Sequence, residues 1–110
     1  MRCLARVDLD LVNGESDQES QTFTLGNDEY TLILQRLKKG YYVSAQVFRR
    51  EIIGMYSVSC LARVDLDGSY AYTEQQDFSP NNYSVDKLTL FVQNTIGNQV
   101  SAQVLSHKEE

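Results

Sequence analysis

An all-β fold, an antiparallel sandwich or small barrel of about eight strands, follows from three features of this 110-residue chain. The chain repeats itself: Cys-Leu-Ala-Arg-Val-Asp-Leu-Asp runs from Cys3 to Asp10 and recurs letter for letter from Cys60 to Asp67. Val43-Ser44-Ala45-Gln46-Val47 returns as Val100-Ser101-Ala102-Gln103-Val104 at the same offset of 57, and Gly40 is matched by Gly97. Matches in phase mark a tandem duplication, so one domain over 1–110 is expected, built of repeats 3–59 and 60–110 with internal pseudo-two-fold symmetry. Apolar and polar residues also alternate with the period of a half-buried strand. Finally, Asn13-Gly14, Gly26-Asn27-Asp28 and Asp67-Gly68 punctuate the alternation with turn-forming residues.

Taken in order, Cys3, Ala5, Val7, Leu9 and Leu11 occupy one parity and Leu4, Arg6, Asp8 and Asp10 the other, which predicts a first strand. Glu15 to Gln21 is polar and predicts a loop, with Thr22 to Leu25 returning as a short strand. Residues 28–40 are ambiguous. Tyr30, Ile33, Leu34 and Leu37 have helical spacing, but the matching stretch Lys87 to Thr95 is rich in strand formers.

The two copies differ here by one residue, since Thr31, Leu32 and Gln35 match Thr89, Leu90 and Gln93 at an offset of 58. Inside a helix that deletion would rotate the apolar face by about 100°, whereas in a hairpin it only shortens the turn. The hairpin is therefore preferred. The helical alternative is an α+β fold of two ββαβ units, interlocked as in a double-psi barrel.

Tyr41 to Phe48 alternates as a strand. From Ile52 to Leu66 a single parity is kept, which predicts one long strand joining the copies, bent or bulged near Gly54. Asp67-Gly68 predicts a hairpin into Ser69–Thr73. Asp86 to Asn94 and Gln99 to Ser106 form a closing hairpin, and His107 to Glu110 are expected to fray.

Composition excludes several functions. Net charge is −5 and no Lys/Arg stripe offsets it, so nucleic acid is not an expected partner. Lys38-Lys39 and Arg49-Arg50 are too short to make a phosphate site. The first residues lack the apolar run of a secretory signal, and no window reaches the roughly 18 apolar residues that span a bilayer. The expected location is the cytoplasm, away from membranes. There Cys3 and Cys60 are expected to be reduced, buried small side chains rather than a disulfide. The sequon Asn82-Tyr83-Ser84 carries no weight in that compartment.

Chemistry has little to draw on. Asp8 and Asp10, like Asp65 and Asp67, stand about 7 Å apart along a strand face. Paired carboxylates suit a hydrolase or Ca²⁺, but Asp65-Leu66-Asp67-Gly68 has its glycine too early for an EF-hand loop. A structural charge ladder is the preferred reading of Arg6, Asp8, Asp10, Arg63, Asp65 and Asp67. In it the octapeptides pair antiparallel with Asp8 opposite Asp65, so that Arg6 faces Asp67 and Arg63 faces Asp10. His107 is the only histidine, which leaves a nucleophile without a placed base and zinc without ligands. No catalytic residues, metal or cofactor are expected.

Apolar residues at outward parity are more suggestive. Ile33, Tyr42, Phe48, Ile53, Met55, Phe91 and Leu105 are the interface candidates, with Leu61 at the same parity. The expectation is a non-catalytic binding or assembly domain acting through protein–protein association on an exposed sheet face, as a homodimer. The first alternative is a carbohydrate-binding module using Tyr72, Tyr83, Asn81 and Asn82. The second is a carboxylate-dependent hydrolase built on the Asp pairs.

Overall fold

Alternation dominates the backbone throughout. The computed structural model describes residues 2–12, 17–37, 42–53, 55–67, 72–80, 86–95 and 99–107, with backbone alone at 51–53 and 55–58. Eight antiparallel strands form two four-stranded sheets. They are β1 (Arg2–Asp10), β2 (Gln18–Leu25), β3 (Asp28–Arg36), β4 (Tyr42–Ile53), β5 (Met55–Asp67), β6 (Thr73–Phe78), β7 (Leu88–Thr95) and β8 (Gln99–Ser106). One sheet has the order β1-β8-β7-β6 and the other β2-β3-β4-β5. The α+β alternative therefore falls, and both ambiguous stretches are strands.

The one-residue change of offset between the two matching stretches lies in the connection between strands, as the hairpin reading requires. Arg36 pairs with Val43 and Asn94 with Val100, so six intervening residues in one hairpin become five in the other without a change of register. The inward side chains of the two sheets make the core. Leu32, Leu34, Val43, Ala45 and Val47 on one sheet meet Leu88, Leu90, Val92, Val100, Ala102 and Val104 on the other, all essentially inaccessible to water. Burying one aliphatic side chain of this size contributes about 1.5–3 kcal/mol.

The segment Ile52 to Leu66 is not one strand. Ile52 pairs with Tyr56 and Ile53 with Met55, so the chain reverses between Ile53 and Met55 and makes β4 and β5 a hairpin. Partners in this hairpin have the same parity, so alternation runs unbroken through the reversal and imitates a continuous strand. The irregularity expected near Gly54 lies further on, where Val47 pairs with Ala62 but Phe48 pairs with Cys60. Leu61 is the extra residue of a β-bulge. Leu4 stands in the same place in β1, between Cys3 opposite Leu105 and Ala5 opposite Val104. Each bulge reverses the parity of what precedes it. Cys3 and Cys60 consequently lie exposed and free rather than buried as expected, while Leu4 and Leu61 pack against the core.

The two octapeptides are not paired with each other, and the expected ladder does not form. β1 pairs with β8 and β5 with β4, in separate sheets. Arg6, Val7, Asp8 and Leu9 face Gln103, Ala102, Ser101 and Val100, while Arg63, Val64, Asp65 and Leu66 face Gln46, Ala45, Ser44 and Val43. Each Asp meets a Ser, so no like-charge contact arises. The arginines turn along their own strands instead, Arg6 Nε to Asp8 Oδ1 at 3.3 Å and Arg63 Nε to Asp65 Oδ1 at 3.1 Å. All four side chains are more than half exposed, and such pairs contribute at most about 1 kcal/mol.

β1 and β2, edges of opposite sheets, run side by side, and so do β5 and β6. The Arg6 N–H donates to Gln21 Oε1 on β2 at 2.7 Å, and the Arg63 N–H donates to Gln76 Oε1 on β6 at 2.9 Å. These glutamines occupy edge donors that would otherwise be open to another strand. β2 begins earlier than expected because Gln18 to Gln21 form an exposed polar edge, and β6 is an edge of the same kind with only Phe78 buried. The Asp67-Gly68 hairpin is not formed: β5 and β6 belong to different sheets, and residues 68–71 lie outside the described residues, as does Asn13-Gly14.

Candidate interaction surface

The topology gathers the connections after β1, β3, β5 and β7 at one end of the sandwich. The large hydrophobic side chains that are exposed among the described residues, Val12 at 55%, Leu37 at 36% and Tyr42 at 54%, all belong to this end. Each has a local cause. Asp10 Oδ1 accepts the Val12 N–H at 2.9 Å, an Asx-type turn that takes the chain out of β1 just after Leu11 has entered the core. The Leu37 N–H donates to the Tyr42 carbonyl at 2.8 Å, holding the two residues at the base of the β3–β4 connection. The Arg36 N–H donates to the Asp17 carbonyl at 2.8 Å, which holds Asp17 against the end of β3. Asp10 and Asp67, the latter opposite Tyr42, set carboxylates beside the apolar side chains.

The sheet faces hold the other interface candidates differently. Ile33 and Phe48 sit on the outer face of one sheet and Phe91 and Leu105 on that of the other. Phe48 is opposite Thr31 and Ile33 opposite Gln46, which makes Ile33 and Phe48 diagonal neighbours. Leu105 opposite Thr89 and Phe91 opposite Gln103 repeat the arrangement. All four are half-buried by same-face neighbours, and Thr, Ser and Gln divide them. Ile53 and Met55 are paired through their backbones, and their side chains lie outside the described residues.

Of the residues proposed for sugar binding, Tyr72 alone lies among the described residues. Tyr72 packs against the core, its hydroxyl accepts the Asp67 N–H at 2.6 Å, and its carbonyl accepts the Asn94 N–H at 3.0 Å. Its ring is half-buried at the β5–β6 end. Asn81, Asn82 and Tyr83 lie outside the described residues. Asp8 and Asp65, the inner members of the carboxylate pairs, are engaged by Arg6 and Arg63 on opposite sheets. Among the described residues no group of three or more His, Cys, Asp or Glu side chains is placed to hold a metal ion.

One polar cluster escaped the sequence reading. Thr89, only 3% exposed, donates from Oγ1 to Asp77 Oδ1 at 2.6 Å. With its single proton committed there, Oγ1 accepts from Nε2 of His107. The His107 N–H also donates to the Lys87 carbonyl at 3.3 Å, so this residue is anchored where fraying was expected; 108–110 lie outside the described residues. A nucleophilic triad places the imidazole between carboxylate and hydroxyl, with the hydroxyl open to substrate. Here the hydroxyl is in the middle and buried, so the cluster ties β6, β7 and the end of β8 together. The only available signal was the outward parity of Thr89 between Leu88 and Leu90, which gives no hint of its partners.

No helix among the described residues is long and apolar enough to cross a membrane. No protein-family model matches the chain, and neither a curated protein nor a solved structure is significantly similar to it.

Proposed function

We propose that this protein is a non-catalytic association module whose partner is a second copy of itself, joined through the end that carries Val12, Leu37 and Tyr42. One observation carries the reading: among the described residues, the exposed large hydrophobic side chains, Val12, Leu37 and Tyr42, collect at a single end. Tyr is a preferred interface anchor, since it contributes a large rigid surface and a hydroxyl at small entropic cost. Lys38 and Lys39 lie between Leu37 and Tyr42 in the sequence, and they supply charge opposite to that of Asp10 and Asp67. A self-complementary contact of this kind suits an isologous dimer. We also infer that the halves are related by an approximate dyad, on the strength of the duplicated octapeptide, the matched bulges and the paired glutamine contacts.

Sedimentation velocity at micromolar concentration tests the proposal. The unaltered protein is expected to sediment as a dimer. Leu37→Ser with Tyr42→Ser is expected to shift it to monomer, and Ile33→Ser with Phe48→Ser to leave it dimeric. A monomer at every concentration removes the association reading. Dissociation by the sheet-face pair alone returns the contact to the sheet face.

A further inference from the structure

The place beside β8 and the place beside β4 are the same site built twice. The same eight residues fill each, in the same register against the same five-residue partner, with the same bulge and the same glutamine contact to the edge N–H. They differ in how the filling strand is held. β5 is the second arm of a hairpin with β4, so its site fills locally. β1 is joined to β2 through residues 11–17, and its partner β8 is distant in sequence, with Arg2 opposite Ser106.

Loop-closure entropy rises with the separation of the ends, and the β1–β8 seam joins the strand pair most widely separated in the sequence. Until it closes, each folding molecule presents an open strand site and a free strand that fits it. The β1 of any neighbouring copy carries the identical side chains and competes for the site with the molecule's own tethered strand in proportion to protein concentration.

We propose that two copies associate by exchanging β1, each first strand completing the sheet of the other beside β8. This rests on the self-association reading and supplies its mechanism. Every contact of the seam is kept in the exchanged dimer. β1 ends beside Val12, at the same end as Leu37 and Tyr42, so exchange brings the crossing chains of both copies to the apolar surface.

Register partners Asp8 and Ser101 give the test, since antiparallel partners lie within disulfide reach. All variants carry Cys3→Ser and Cys60→Ser. A chain with both Asp8→Cys and Ser101→Cys is expected to oxidise to a disulfide and verify the geometry. Two further chains, one with Asp8→Cys and one with Ser101→Cys, are then refolded together at high concentration and oxidised. Exchange predicts a disulfide-linked heterodimer on a denaturing, non-reducing gel, in a yield that rises with refolding concentration. Failure of the doubly substituted chain to cross-link overturns the register and the proposal with it. A good cross-link in that chain without heterodimer in the mixture overturns exchange. Sedimentation of the same mixture separates the two ideas, because a dimer without the heterodimer disulfide leaves self-association standing and removes strand exchange.

Discussion

Tyr30 shows how one side chain joins burial to pH response. It is 1% exposed and stacked on Phe23, with ring centroids 5.3 Å apart and planes 14° from parallel. Burial raises its pKa above 10.0, the nearby Asp28 carboxylate raises it further, and Arg49 partly offsets both. A raised value means that the folded state holds the proton more tightly than the unfolded chain does. The stabilisation is complete below the ordinary tyrosine value and is lost as pH climbs from there toward the folded value. Tyr30 therefore contributes a fall of up to about 1.4 kcal/mol per pH unit in that window. Tyr30→Phe is expected to flatten this part of the stability curve, as measured by urea unfolding at pH 8 and pH 11. Equal losses in both proteins would assign the alkaline fall to other groups.

For single strands, the glutamine contacts make a sharper prediction than the ion pairs. Gln21→Ala removes the acceptor of the Arg6 N–H and Gln76→Ala that of the Arg63 N–H. A net hydrogen bond of about 0.5–1.5 kcal/mol corresponds to roughly 2- to 12-fold in an opening equilibrium. Amide exchange is expected to accelerate by that factor at Arg6 in the first variant and at Arg63 in the second. No change at either amide would mean that the edges are protected by another route.

The strands also show what alternation conveys and what it hides. It reports which face a residue takes, so β1, β4 and β8 could be read directly, while β3 and β7 stayed ambiguous. The deletion between Gln93 and Gly97 decided strand over helix, because only a turn absorbs one residue without disturbing a face. Alternation does not report neighbours. Ile52 and Tyr56 share parity whether the chain runs straight or doubles back, which concealed the β4–β5 reversal. Leu4 and Leu61 each insert a step that exchanges inside for outside, and this undid the placement of Cys3 and Cys60. Among the interface candidates, Ile33, Tyr42, Phe48, Phe91 and Leu105 were legible as outward residues. Exposure of Val12, Leu37 and Tyr42 at one end depends on where separate connections meet, and that is a property of the topology.

For the molecule as a whole, the choice of partner strand is the decisive event. Identical octapeptides cannot be told apart by their own sequence, and their destinations are set by what lies beside them. Val43 to Val47 and Val100 to Val104 are identical as well, so these side chains do not choose between the two sites; the hairpin that ties β5 to β4 leaves the place beside β8 to β1. Because Arg2 and Ser106 are partners, the chain all but bites its own tail. Splicing residue 107 to residue 2 through a short flexible bridge would close a ring, and cutting that ring between Ile53 and Met55 would yield a rearranged polypeptide that begins at β5 and ends at β4. Such circular permutants are well tolerated where the ends lie close together. Cooperative melting with an unchanged circular dichroism spectrum is the expected outcome, and a molten or insoluble product would show that the order of synthesis, not merely the set of neighbours, governs how this architecture forms.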